Sequence, residues 1–357
     1  MSVIEDRLRD AMHARARAVQ EEGVVPALPA RRRAVRFGWV APIVVAVAIV
    51  ALVAGVTVAV RDEPREPVVV TPAATPPFYV GAVVTLGAAG TGSVAERGPL
   101  GVYDSGTGRR TAELPVLAES RVAGLGDGRT FFLAGREREA AAIRFYRLTL
   151  TPDGRIGRQE ALPIPADPRV RGLDALAVSP DGRKLAYSVR STTDDVRVAD
   201  VGSGQVRRWR TAKAGVSYRM AWSGESRTLV FSWLDERPVG SETRLLDTTR
   251  PGRDLLDGKV VDGRSTFPAV KPGGSTFVTQ QGGGRGIPHL VEFSTSTGKQ
   301  VGERVVKEWF SPTDYDATGR VLLGFVRGGA PARLDGDRPV RIPLSGLPKG
   351  KSFEATW

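Results

Sequence analysis

Short apolar segments alternate with polar turns throughout residues 78–357. The clearest example is 173–188, in which an apolar segment, the turn 179–183 and a second apolar segment follow one another. Strands of four to eight residues bounded by Pro, Asp and Gly are typical of β-hairpins. The pattern therefore predicts an all-β domain built from hairpins.

Two series of turns recur in this domain, and they alternate along the chain. The first residues of the second series are 47, 49, 47, 47 and 41 positions apart. Such regular spacing indicates a structural repeat. The first series comprises 126–129, 179–183, 223–227, 271–275 and 316–320, and the second comprises 104–108, 151–154, 200–204, 247–252, 294–298 and 335–337.

Two hairpins in each period of about 47 residues amount to four strands, which is the size of one β-propeller blade. Six turns of the second series against five of the first leave one blade without its inner strand. Residues 353–357 can supply that strand, because their sequence resembles that of the inner strand at 219–222. We predict a six-bladed β-propeller closed by pairing of the C-terminal strand with the N-terminal strand at 78–84.

An uninterrupted apolar stretch precedes the propeller, from Phe37 to Val60. As a helix it would be about 36 Å long, against a bilayer core of about 30 Å. It is too long for the apolar region of a signal peptide, and 58–60 is a poor cleavage site. The four arginines within 31–36 place the N-terminus in the cytoplasm. We predict a single transmembrane signal-anchor helix, with the propeller outside the cytoplasm.

The start of the chain reads as a capping box, Ser2 to Glu5, followed by apolar residues every four positions. Two interpretations stay open: a short amphipathic helix that binds a cytoplasmic partner through residues 1–20, or a basic tail that only sets topology. The predicted regions are a cytoplasmic basic tail (1–36), the transmembrane helix (37–60), a Pro-rich extracytoplasmic linker (61–77) and the propeller (78–357).

The phrase Ser-Pro-Asp-Gly-Arg-Lys-Leu-Ala-Tyr-Ser at 179–188 resembles the WD40-like repeat of TolB-type propellers. The similarity covers about residues 78–357. It implies a protein-binding module of the cell envelope. The order of basic tail, anchor and propeller also resembles uncharacterised membrane-anchored propeller proteins of actinobacteria.

Composition excludes several kinds of site. The chain has no cysteine and two histidines, His13 and His289, so it can form no disulfide, no thiolate zinc site and no cysteine nucleophile. The net charge is +12, but basic residues are scattered among acids instead of forming a stripe, which argues against nucleic-acid binding. We predict no catalytic residue, no cofactor and no metal site, and the binding residues are unknown at this stage.

Three glycine-rich segments suggest motifs that bind phosphate, a dinucleotide or an anion. The segment 346–352 ends like a P-loop but its first glycine is one residue too close. The segment 90–95 resembles a dinucleotide-binding turn, yet Gly98 and Pro99 stand where its helix would continue, so we predict a loop. For 282–286 we prefer a flexible connection to an anion-binding nest.

Acidic and aromatic residues also have structural explanations. Asp127, Asp181 and Asp316 recur in the first turn series, where they would accept bonds from following amides. The pair at 194–195 is interpreted as a solvated loop and not a cation site. Four tryptophans in strand-like segments are expected to pack between blades: Trp209, Trp222, Trp233 and Trp309.

Three functions are compatible with these features. The preferred one is a non-enzymatic, membrane-tethered extracytoplasmic propeller that binds a protein or envelope component. A channel-site enzyme or sensor for small molecules would need polar groups from several inner strands, whereas these segments show mainly Ala, Val, Leu, Met and Trp. A transmembrane signalling protein would bind a cytoplasmic regulator such as a sigma factor through its tail.

The absence of cysteine permits a direct test of the predicted topology. A single Ser203→Cys or Gln20→Cys substitution would be the only thiol in the chain. We expect a membrane-impermeant maleimide to label Ser203→Cys in intact cells, and to label Gln20→Cys only after lysis, because the predicted anchor separates the two positions. Labelling of Gln20→Cys in intact cells would contradict the orientation.

Overall fold

The computed structural model describes residues 75–357 except 87–93, 116, 138–141, 169, 171, 191–194, 237–238, 251–253, 262–267, 282–287 and 346–351. The predicted tail, the anchor helix at 37–60 and all but the end of the linker lie outside the described residues. Within the part of the chain that the structure describes, no helix is long and apolar enough to cross a membrane.

The described strands form six antiparallel sheets, the blades, in chain order. Blade 1 contains β1 (Phe78–Leu86), β2 (Val94–Arg97), β3 (Gly101–Asp104) and β4 (Arg110–Glu113). Blade 2 contains β5 (Ala118–Gly124), β6 (Thr130–Arg136), β7 (Ile143–Leu150) and β8 (Ile156–Ala161). Blade 3 contains β9 (Gly172–Val178), β10 (Lys184–Arg190), β11 (Asp195–Asp200) and β12 (Val206–Arg210).

Blade 4 contains β13 (Gly215–Trp222), β14 (Thr228–Glu236), β15 (Val239–Asp247) and β16 (Lys259–Val260), with a 3-10 helix (Leu255–Asp257) before β16. Blade 5 contains β17 (Ala269–Val270), β18 (Thr276–Gln281), β19 (His289–Ser294) and β20 (Gln300–Val305). Blade 6 contains β21 (Phe310–Tyr315), β22 (Leu322–Val326), β23 (Pro331–Asp335) and β24 (Arg338–Arg341). The last strand is β25 (Ser352–Thr356).

Each turn of the two predicted series falls between consecutive strands of one blade, so the six-bladed prediction is confirmed. Second and third strands of the blades are mostly buried, as in β22, whereas outer strands such as β12 and β20 are largely exposed. The apolar side chains of the second and third strands therefore pack between blades, and the outer strands carry exposed polar residues such as Arg207 and Arg208.

The ring closes through β25, as predicted. This strand pairs antiparallel with β1, from Val80 opposite Thr356 to Val84 opposite Ser352. The other edge of β1 pairs with β2 and β3. The C-terminal strand thus becomes the innermost strand of blade 1, which is a five-stranded sheet, whereas the other five blades have four strands each.

Aromatic packing reinforces this closure between blades 1 and 6. The Phe353 ring lies edge-on to Tyr79 and Tyr103, with centroids 6.0 and 5.2 Å apart. The Tyr79 hydroxyl donates to the backbone carbonyl of Pro343 in blade 6 at 2.9 Å. A Cβ at Gly81 would lie 2.4 Å from both the Glu354 carbonyl oxygen and the Phe353 ring, so only glycine allows this approach.

Tryptophans join blades 3 and 4, as the sequence predicts for Trp209, Trp222 and Trp233. All three are buried in one apolar cluster. The Trp222 indole donates to the Ala177 carbonyl oxygen at 3.3 Å, and the Trp209 indole donates to the Arg250 carbonyl oxygen at 3.1 Å. These two indoles therefore combine apolar burial with a hydrogen bond across the interface, whereas the Trp233 indole donates to Asp235 of its own strand.

Truncating Phe353 tests the importance of the closing strand. Phe353→Ala removes a ring that is 3% exposed, and we expect a loss of about 3–5 kcal/mol in the free energy of unfolding. Val301→Ala on outer strand β20, where the side chain is 57% exposed, should change it by less than about 0.5 kcal/mol. Guanidinium unfolding of the full-length protein measures both. Equal effects would contradict the role assigned to the closing strand.

Candidate functional site

A cavity of about 1060 Å³ lies at the centre of the ring, where residues from all six innermost strands line it. These strands are β25, β5, β9, β13, β17 and β21, and each pairs with one other strand of its sheet. Their free edges therefore face the cavity. Central channels of this kind are the usual place for ligands in propellers, since every blade can contribute a side chain there.

Charged side chains from four neighbouring blades lie at the same depth in this cavity. In three blades the charged residue pairs with the fifth residue of the second strand, so the repeat places all three at one level. The pairs are Glu354 with Ala82 in blade 1, Arg121 with Ala134 in blade 2 and Arg219 with Ser232 in blade 4.

Blade 3 contributes Asp174 at nearly the same depth. Its neighbour Ala175 pairs with Ser188, again the fifth residue of the second strand. We call Glu354, Arg121, Asp174 and Arg219 the charged belt. Around the ring the belt reads negative, positive, negative, positive, so each charge has an opposite charge on the adjacent blade.

β-bulges alter the inner strands beside the belt. The extra residue is Asp174 in β9, Tyr218 in β13 and Thr313 in β21, and β5 has a bulge between Ala118 and Arg121. A bulge redirects side chains relative to a regular strand, in which they alternate between two faces. The bulges therefore set which polar side chains line the cavity.

One buried hydroxyl satisfies the backbone around two of these bulges. Ser188 Oγ accepts from the Ala175 amide at 2.9 Å and donates to the Ser217 carbonyl oxygen at 2.6 Å. Because a buried amide without a partner is costly, this contact stabilises the irregular backbone. It also joins blade 3 to blade 4 directly behind the belt.

Arg121 is held by backbone acceptors on two blades. Its Nε donates to the Asp174 carbonyl oxygen at 3.1 Å, and its Nη1 donates to the Ser120 carbonyl oxygen at 3.1 Å. Near it, Glu119 has a φ of +55°, a left-handed conformation that is uncommon for residues other than glycine. The local backbone is thus strained where it presents Arg121 to the cavity.

A further acid, Asp314, lines the cavity two blades away from Arg219. The Thr356 hydroxyl donates to Asp314 Oδ2 at 3.4 Å and accepts from the Gly124 amide at 3.0 Å. Among the described residues, no basic group lies within the 4.0 Å of an ion pair with Asp314. Burial raises the pKa of the Asp314 carboxyl to about 6, and the charge of Arg219 partly opposes that rise.

The turn acids behave as the sequence predicts. Asp127 Oδ1 accepts from the amides of Arg129 and Thr130 at 2.8 and 2.7 Å. Asp316 Oδ1 accepts from Arg320 and Val321 at 2.9 and 2.8 Å, and Asp181 accepts from the Arg183 amide at 3.1 Å. Within the described part of the chain, no group of three or more His, Cys, Asp or Glu residues could hold a metal ion.

The interpretation of residues 194–195 as a solvated loop is wrong for Asp195, which begins β11 and is 3% exposed. Its carboxylate accepts from Arg197 Nη2 at 3.1 Å, and Arg197 also donates to Asp167 at 2.8 Å. The sequence interpretation failed because residues two apart on a strand share a face, which brings this ion pair together within the sheet.

The inner strands are more polar than the sequence predicted. Their segments show mainly Ala, Val, Leu, Met and Trp, whereas the structure brings the charged belt and Asp314 to one cavity. Repeat alignment could have found two members, since Arg121 and Arg219 each stand six positions before the turn acids Asp127 and Glu225. Trp309, expected to pack between blades, lines the cavity.

Of the glycine-rich segments, 282–286 and 346–351 lie outside the described residues. In the segment 90–95, the described residues Val94 and Ala95 belong to strand β2, which pairs with β1. The predicted loop is therefore a strand at this point, and a dinucleotide-binding turn followed by a helix does not form there.

Comparisons with known proteins gave structural similarities only. No family model matches the sequence, and no curated protein matches it. TolB from Acinetobacter baumannii is similar with a TM-score of 0.48 and 14% identity, over 78% of this chain and 67% of that one. Kuenenia stuttgartiensis hydrazine synthase has a TM-score of 0.44 and 16% identity, over 67% and 71%.

The tricorn protease has a TM-score of 0.41 and 12% identity, over 72% of this chain and 29% of that one. All three TM-scores are below 0.5, so the activities of these proteins do not transfer to this chain. The assignment of a propeller rests on the strand pairing described above.

Neutralising Asp314 tests its environment. Because the pKa of Asp314 is higher in the folded than in the unfolded protein, ionisation of this carboxyl destabilises the fold. The contribution of Asp314 to the free energy of unfolding is therefore full below about pH 4 and is lost as the pH rises through about 6. At about 1.4 kcal/mol per pKa unit, Asp314→Asn should increase the free energy of unfolding by up to about 3 kcal/mol at pH 7.5, with little effect at pH 3.5. Denaturant unfolding at both pH values measures this.

The matched control is Asp153→Asn in an exposed turn. The Thr151 hydroxyl holds the pKa of Asp153 below its usual value, so removing this charge should not stabilise the protein at pH 7.5. A decrease in stability of Asp314→Asn at pH 7.5 would show that its carboxylate is better compensated than the geometry indicates.

Proposed function

We propose that this protein is a non-enzymatic, membrane-tethered extracytoplasmic β-propeller that binds a protein or envelope component in its central cavity. The cavity itself is the observation that carries the proposal. It has room for a segment of a partner, and its wall combines aliphatic side chains such as Leu176 and Met220 with the charged belt. Apolar walls with a few placed polar groups are typical of binding sites.

Features of the cavity favour binding over catalysis. The belt alternates in charge, and Arg121 is held by backbone carbonyl groups, which suits recognition of a partner's shape and charge. The propeller's histidine, His289, lies in blade 5 against Glu303 of outer strand β20, with Nδ1 and Oε1 2.6 Å apart. It is therefore placed for rim structure and not for acid-base chemistry in the cavity.

The chain enters the ring at the closure between blades 1 and 6. Thr75 Oγ1 accepts from Arg333 of β23 at 3.0 Å, and the Pro77 carbonyl oxygen accepts from the Ser105 amide at 2.9 Å. A tether through the Pro-rich linker would thus attach where the aromatic packing is densest. The similarity of the phrase at 179–188 to TolB-type repeats supports protein binding in the cell envelope.

Site-specific photo-crosslinking tests this proposal in native membranes. The photoreactive residue is placed at Val178 or Met220 on the cavity wall, and at exposed Val301 on β20 as the matched outer position. We expect the same discrete adduct from both cavity positions and not from Val301, because a specific partner occupies one site. Mass spectrometry then identifies the adduct.

A charge variant gives the second control. Arg219→Glu removes the alternation of the belt and should reduce the adduct at least tenfold, whereas Arg158→Glu on exposed strand β8 should leave it unchanged. Adducts that are absent from both cavity positions, or equal at Val301, would overturn the proposal.

A further inference from the structure

The charged residues that line the cavity have one acid in excess, although the chain as a whole has a net charge of +12. They are three acids, Asp174, Asp314 and Glu354, and two bases, Arg121 and Arg219. Arg121 is already held by two backbone carbonyl groups. Asp314 is the acid that lies outside the alternating belt, and a carboxylate attracts a cation.

Asp314 makes no ion pair with the described basic residues, and the protein compensates its charge weakly. Its hydrogen bond from Thr356 is long, at 3.4 Å, and Arg219 acts on it from blade 4 across blade 5, whose inner strand is only Ala269–Val270. An ionised carboxylate removed from water requires a nearby cation or several donors. The raised pKa of Asp314 agrees with this lack of compensation.

Aromatic and aliphatic groups line the same cavity. Tyr218 and Trp309 are half-buried and line it together with Asp314. Aromatic faces attract organic cations and also cover the apolar part of a ligand. A carboxylate in a cavity that also has aromatic side chains suits an ammonium or guanidinium group on an apolar stem.

We propose that the cavity binds a ligand through an ammonium or guanidinium group that pairs with Asp314 and packs against Trp309. This inference rests on the proposed function, since it uses the same cavity, and it names the chemistry of the bound group. The group can belong to a basic side chain of a protein partner or to a small organic amine. Either source supplies the cation that the buried carboxylate lacks.

Matched probes separate charge from shape. Nα-acetylarginine amide and Nα-acetylcitrulline amide, called arginine amide and citrulline amide below, have nearly the same size, but only the first is cationic. We expect full-length protein in nanodiscs to bind arginine amide at least tenfold more tightly than citrulline amide by calorimetry. Asp314→Asn should lose this preference, Asp314→Glu should retain most of it, and Asp153→Asn in an exposed turn should match the wild type.

Two peptides that differ only by arginine or citrulline at the central position identify the source of the cation. Selective binding of the arginine peptide indicates a protein partner, and selective binding of the amide alone indicates a small amine. Thermal unfolding confirms that each variant is folded. No preference for the cationic member of either pair, or an unchanged preference in Asp314→Asn, overturns the inference.

Failure here is distinguishable from failure of the proposed function. If Asp314→Asn keeps the crosslinked adduct at Val178 and Met220, the cavity still binds its partner but not through this carboxylate. If the adduct is absent while arginine amide binds through Asp314, the site is a small-molecule site and the proposed protein partner is excluded.

Discussion

The pairing of β25 with β1 is the interaction on which the rest of this structure depends. Residues at opposite ends of the propeller domain, such as Phe353 and Val83, become neighbours in one sheet. Without that pairing blade 1 would lack its inner strand and the ring would have an open edge. Closure is therefore what brings six inner strands around one cavity, and it is secured by both the strand ladder and the aromatic packing around Tyr79.

The cavity derives its character from departures from regular β-structure. In regular inner strands, the side chains would alternate between the two faces of the sheet in the same way in each blade. Bulges at Asp174, Tyr218 and Thr313 interrupt it, and Ser188 satisfies the backbone that they disturb. The left-handed Glu119 and the partly buried Asp314 add local costs in free energy. Such costs are common where a site is shaped for binding and not for stability.

The sequence predicted the strands of this propeller and their order well, because each turn is formed by residues that are adjacent in the chain. The turn at 179–183 and its equivalents contain the Pro, Asp and Gly that a hairpin needs. The closing strand at 353–357 followed from counting these turns. Asp195 was misread because its burial depends on tertiary structure: its partner Arg197 is two positions away, but Arg197 also pairs with Asp167, which is 30 positions away in the chain.

The sequence by itself determined the number of blades, the position of each hairpin and the place where the ring closes, since these depend on strand length and turn residues. The tertiary structure alone decided which inner-strand residues share a depth and face one another. Arg121, Asp174, Arg219 and Glu354 are far apart in the chain, and bulges set their orientation. Burial of Asp314 likewise arises only when the blades assemble, because solvent is excluded by residues from other blades.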